Sequence, residues 1–124
     1  MAKTVLVVDD SAIARGMISF ALIDAGYEVI SAAHGGDALN KLSIAPADLV
    51  ITNLDMPVMN GIEFMKQFRS NPRYKDTPAI MLTTAAQAFR RQERRLAGAS
   101  GWLVKPVSAN YLTLVVDAFL RHRP

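Results

Sequence analysis

Residues Lys3 to Ser11 read KTVLVVDDS, and this stretch decides the fold. A short, continuous apolar run without alternation is the pattern of a strand buried on both faces, as in a parallel sheet. It stops at two adjacent acids, so the carboxyl end of the strand lies at a polar edge. Ser11 then supplies an N-cap for a helix in which Ile13, Met17, Phe20 and Ala21 recur at the three-to-four spacing of a one-sided helix, with Gly26 as its stop.

Working outward, the pattern repeats. Tyr27 to Ala32 reads as strand, Gly36 to Ile44 as helix, Asp48 to Thr52 (DLVIT) as strand, and Gly61 to Arg69 as helix with Ile62, Met65 and Phe68 inward. Pro78 to Thr83 (PAIMLT) is a strand, Gln87 to Ala97 a helix, and Gly101 to Val104 a strand. Ala109 to His122 closes the series as a helix with Leu112, Val115, Val116 and Phe119 on one face. Ser70 to Thr77 (SNPRYKDT) is the longest loop. Five strands alternating with five helices require right-handed crossovers, hence an α/β, flavodoxin-like doubly wound parallel sheet with expected strand order 2-1-3-4-5. In such a sheet the site lies beyond the carboxyl ends of the strands, at the switch point between strands 1 and 3.

The 124 residues fit one domain, expected to span 1–124, and 51% hydrophobic with 20% charged residues is an ordinary globular composition. Cysteine is absent, which excludes disulfides and thiolate metal sites. The start of the chain lacks signal-peptide regions and no apolar stretch is long enough to span a bilayer, so no membrane association and a cytoplasmic location are expected. The net charge of +3 is concentrated: Arg90, Arg91, Arg94 and Arg95 against Glu93 account for all of it. That argues for one basic face and against a protein that coats DNA.

The strand ends collect Asp9 and Asp10, Asn53 and Asp55, Thr83 and Thr84, and Lys105. Two adjacent carboxylates repel unless a cation sits beside them, and Mg²⁺ accepts one or two carboxylates with carbonyl, water and phosphate oxygens. A lone acidic pair reads more readily as surface acids capping the helix, and the other strand ends reverse that preference. Lys105-Pro106 after the last strand brings an ammonium within reach of the acids or of a phosphoryl oxygen, with Pro106 suited to a cis peptide, and Thr83 offers a hydroxyl to the same oxygen. FMN binding is disfavoured, because two acids stand where its phosphate needs a Ser/Thr-rich loop.

With VLVVDDS, ITNLDMPVMNG, MLTT and GWLVKP in order and spacing, the chain resembles the receiver domains of bacterial response regulators, most closely the stand-alone CheY-like ones. The resemblance implies that Asp9 and Asp10 bind Mg²⁺, that residue 53 takes a phosphoryl group from a histidine kinase or phosphotransfer protein, and that Thr83 and Lys105 contact the phosphate. Asp55 would offer its backbone carbonyl to the metal. The output would be protein binding through the helix 4, strand 5 and helix 5 face, in a pathway such as chemotaxis. Trp102 stands where the family carries an aromatic switch residue, or else it simply packs in the core.

The departure falls on the phospho-acceptor, where Asn53 replaces aspartate. An amide is not an anionic nucleophile and forms no acyl phosphate, so self-catalysed phosphorylation is expected to be blocked. The formal charge of Asp9, Asp10, position 53 and Lys105 falls from −2 to −1, which weakens Mg²⁺ binding. Asn53 is either a change engineered to prevent phosphorylation or the native residue of a receiver that signals without phosphate. Arg90, Arg91, Arg94 and Arg95 form one helical stripe: a solvated face, a partner surface, or an anion site of the kind with which some CheY-like proteins bind cyclic di-GMP. His34 and His122 have no partner at metal or triad spacing and receive no role.

Overall fold

The computed structural model describes residues 2–84 and 98–121. Its strands are β1 (Thr4–Val8), β2 (Glu28–Ala32), β3 (Leu49–Asn53), β4 (Ala79–Thr83) and β5 (Gly101–Val104), all parallel, in the order β2-β1-β3-β4-β5. The helices are α1 (Ala12–Asp24), α2 (Gly35–Ile44), α3 (Gly61–Ser70) and a C-terminal helix (Ala109–Leu120). Gln87 to Ala97, expected as a helix, lies outside the described residues, as does His122.

The apolar run of β1 divides between two cores. Leu6 and Val8 face one layer with Val50, Met81, Phe64, Met65 and Phe68, beneath α2 and α3. Val5 and Val7 face the other with Leu49, Ile51, Ile80 and Leu82, where Leu22 of α1 and Leu112 and Val116 of the C-terminal helix close it. Burying each large aliphatic side chain stabilises by about 1.5–3 kcal/mol, so β1 contributes to both layers at once and fixes the register of the central strands.

Local chemistry sets the helix starts. Ser11 Oγ accepts from the Ala14 N–H at 3.2 Å, Ser108 Oγ from Tyr111 at 3.1 Å, and Asn60 and Glu63 form a reciprocal capping box. His34 Nδ1 accepts from the Asp37 N–H at 3.1 Å, which gives this residue a capping role that the sequence did not suggest. At the end of α1, Gly26 takes φ +98° with its N–H on the Ile23 carbonyl. The long loop contains a 3₁₀ turn, Pro72–Tyr74, whose Tyr74 ring stacks on Phe68 at 4.7 Å.

One expectation for α1 is corrected. Ile13, Met17 and Phe20 do not face the core: they are 78%, 69% and 73% exposed, while Leu22 is buried and Ile18 packs on the layer beneath. The helix is apolar around most of its circumference, so the three-to-four spacing picks out a stripe without saying which stripe turns inward. In α3 the inward face is as expected, with Met65 and Phe68 fully buried, and Phe64 joins them.

The β3–α3 loop is held under two constraints. Val58 adopts φ +68° with its side chain fully exposed, a left-handed conformation that a β-branched residue tolerates poorly. Val58→Asn is expected to raise stability by about 1 kcal/mol, read as a higher urea midpoint at unchanged slope, because Asn tolerates this conformation and no packing is lost. Gly61 lies under the end of β3, where an added Cβ would stand 2.6 Å from the Asn53 carbonyl oxygen and 2.9 Å from the Leu54 Cα. Backbone cannot move aside as a side chain does, so Gly61→Ala should cost about 1–3 kcal/mol in the same measurement.

Candidate functional site

Every strand that the core buries ends at the same edge, and there the polar side chains gather. Asp9 and Asn53 are buried at 1% and 8% exposure, whereas Asp10 and the Asp55 side chain are exposed. Asn53 organises the group. Its Nδ2 donates to the Asp55 carbonyl at 2.9 Å and to Asp10 Oδ1 at 3.3 Å, and its Oδ1 accepts from Lys105 Nζ at 2.7 Å. One amide therefore joins β3 to the β1–α1 loop and to the end of β5.

These partners fix which way the amide points. Turned over, it would aim two N–H donors at an ammonium and its oxygen at a carboxylate and a carbonyl. Lys105 is itself held by its N–H on the Thr83 carbonyl at 2.7 Å and is followed by a cis peptide to Pro106.

Asp9 plays a different part from Asp10. Its Oδ1 accepts from the Ser11 N–H at 2.9 Å, which ties the carboxylate to the start of α1, while Oδ2 is buried with no partner among the described residues. One oxygen of Asp9 thus belongs to the helix start, as the capping reading has it, and the other is left without a partner among the described residues. Arg15, which the sequence reading passed over, donates from Nη1 to the Asp9 carbonyl at 2.7 Å and holds the acidic turn from the first turn of the helix. Its i+6 separation from Asp9 matches no standard local motif, so sequence carried no signal for it.

Thr83 is fully buried and its Oγ1 has no partner among the described residues. Its backbone carbonyl accepts from the Lys105 N–H at 2.7 Å. Trp102 is half-buried and packs against the layer under α2 and α3, paired with Met81 in the β4–β5 register. Arg90, Arg91, Arg94 and Arg95, read as a partner surface or a cyclic di-GMP site, lie outside the described residues. Among those described, no helix is long and apolar enough to cross a membrane.

Comparison with known proteins agrees with this geometry. The family model for the response regulator receiver domain matches residues 5–117. Chemotaxis protein CheY1 of Helicobacter pylori is 39% identical over 117 residues, covering 93% of this chain and 94% of that protein. The phosphate regulon transcriptional regulatory protein PhoB of Escherichia coli is 31% identical over 121 residues, and there the chain spans only 53% of the relative. The crystal structure of chemotaxis protein CheY4 of Vibrio cholerae superposes with a TM-score of 0.92 at 45% identity, covering 97% of this chain and all of that one. A sheet ordered 2-1-3-4-5, with acids, an amide and a lysine at its carboxyl edge and this match along nearly its whole length, places the chain in the receiver-domain family of response regulators, with a CheY-like fold.

Proposed function

We propose that this receiver works as a single-domain response regulator in the cytoplasm that signals by binding a protein target and takes no phosphoryl group at position 53. Receiver domains act in two-component signalling, where they interact with histidine kinases and downstream targets and bind Mg²⁺ at their acidic pocket. The observation that carries the proposal is the neutral amide of Asn53 at the centre of the pocket, with Lys105 Nζ 2.7 Å from its oxygen. Where a phosphoryl transfer would need an anionic nucleophile, this chain has a group whose nitrogen lone pair is delocalised and whose oxygen is already bonded to an ammonium.

The supporting parts have defined roles in this reading. Asp9 and Asp10 supply negative charge, Asp55 its carbonyl, Lys105 the positive charge opposite, and Thr83 a buried hydroxyl one strand away. Mg²⁺ affinity is lowered because position 53 no longer contributes a charge. The target docks on a face that includes β5 with Trp102 and the C-terminal helix, and likeness to chemotaxis proteins favours a chemotaxis pathway.

The test is to treat this chain and Asn53→Asp with acetyl phosphate and Mg²⁺ and weigh both intact. The unaltered chain is expected to stay unmodified. Asn53→Asp is expected to gain the mass of one phosphoryl group in an acid-stable, base-labile linkage, since its carboxylate supplies the missing nucleophile. A folded Asn53→Asp that stays unmodified would defeat the receiver-switch reading, and modification of the unaltered chain would make Asp55 the acceptor and defeat the phosphate-free one.

A further inference from the structure

The acidic pocket of a receiver needs something positive between its oxygens, and in this chain a candidate is already bonded to them. Asn53 Nδ2 reaches both the Asp10 carboxylate and the Asp55 carbonyl, two of the oxygens that would otherwise face a cation. We infer that the Asn53 carboxamide is this pocket's internal substitute for the divalent cation, its N–H hydrogens taking the cation's bonds and Lys105 locking the amide in that orientation. The inference rests on the reading of the chain as a receiver whose position 53 takes no phosphoryl group.

The reason lies in the difference between an amide and a carboxylate. A carboxylate has two oxygens, so it can accept from Lys105 with one and ligate a metal with the other. The amide has one oxygen, and Lys105 holds it. That oxygen has a second lone pair, but Asp10 and the Asp55 carbonyl lie on the Nδ2 side, so to ligate a cation beside them Asn53 must turn over, which breaks the 2.7 Å bond and aims N–H at the ammonium. As the amide stands, the donor set does not fit Mg²⁺, because it presents hydrogens where the metal needs oxygen. The negative charge of Asp9 and Asp10 remains, but the amide beside Asp10 turns its hydrogens toward that carboxylate.

The experiment follows the side-chain NH₂ resonances of Asn53 by ¹⁵N–¹H NMR, identified by their loss in Asn53→Asp, together with thermal unfolding, as Mg²⁺ is added. In the unaltered chain the pair is expected to stay in place and the midpoint to stay unchanged. Asn53→Asp is expected to be less stable without Mg²⁺, to recover with it, and to bind it about tenfold or more tightly. In Lys105→Met the lock is gone, so the Asn53 pair should move on adding Mg²⁺. Removing a positive charge tightens the binding of any cation, so movement of the pair, and not affinity, decides this arm. An Asn53 pair that shifts with Mg²⁺ in the unaltered chain overturns the inference, and a pair that stays fixed in Lys105→Met overturns the lock. Phosphorylation of Asn53→Asp is read separately: if it occurs while these results fail, only the substitute-cation inference falls.

Discussion

The parallel pairing of β1 with both β2 and β3 is the constraint on which the rest of the structure depends. Val5 and Val7 are paired on both edges and covered on one face, Leu6 and Val8 on the other. Nothing polar can be accommodated until the strand ends, so the first charged side chain after Lys3 is Asp9, at the carboxyl edge. Because β2 and β3 leave β1 in opposite directions, the helices that follow β1 and β3 lie on opposite faces, and the gap between their starts opens directly above Asp9, Asp10 and Asn53. The pocket is a consequence of the strand order, before any side chain in it is considered.

What that pocket must solve is electrostatic. Asp9 is buried with one oxygen unpaired, Asp10 is its neighbour, and a third carboxylate at position 53 would add like charge to the same few ångströms. Lys105 offsets one charge only. Asparagine relieves the repulsion and also supplies hydrogens to Asp10 and to the neutral Asp55 carbonyl, the latter bond contributing about 0.5–1.5 kcal/mol. If the amide stands in for the cation, it is the more stable occupant of this position without a metal and the carboxylate is with one. The two residues suit different states of the same pocket.

Strand order, strand ends, the N-cap Ser11 and the cis peptide before Pro106 were legible in the sequence, because each rests on a local rule. The reading failed where a choice depends on the surroundings. In α1 the apolar residues Ile13, Met17, Ile18, Phe20, Leu22 and Ile23 cover most of the circumference, so only docking against the sheet selects Leu22 and Ile18 over Phe20. The reach of Arg15 to the Asp9 carbonyl and the left-handed Val58 likewise follow from tertiary placement, whereas the cap by His34 is a local bond made by a residue outside the usual Ser, Thr, Asp and Asn set. The identity of Asn53 was plain from the first reading, but which of its two atoms faces Lys105 could be decided only once its partners stood around it.

That last distinction explains why the substituent at position 53 is not merely the absence of an acid. An alanine there would also remove the nucleophile, yet it would leave Lys105 Nζ without its acceptor and the Asp55 carbonyl without its donor, at the mouth of a pocket where water competes only in part. Asparagine has the shape of aspartate, so it leaves Gly61 its close passage beneath the end of β3 and asks for no change in the Lys105 backbone, which is held on the Thr83 carbonyl. It differs in a single atom, and that atom is a donor in a place where the surrounding groups are acceptors. The side chain of this one buried residue thus links β3 to the β1–α1 loop through Asp10 and to the end of β5 through Lys105.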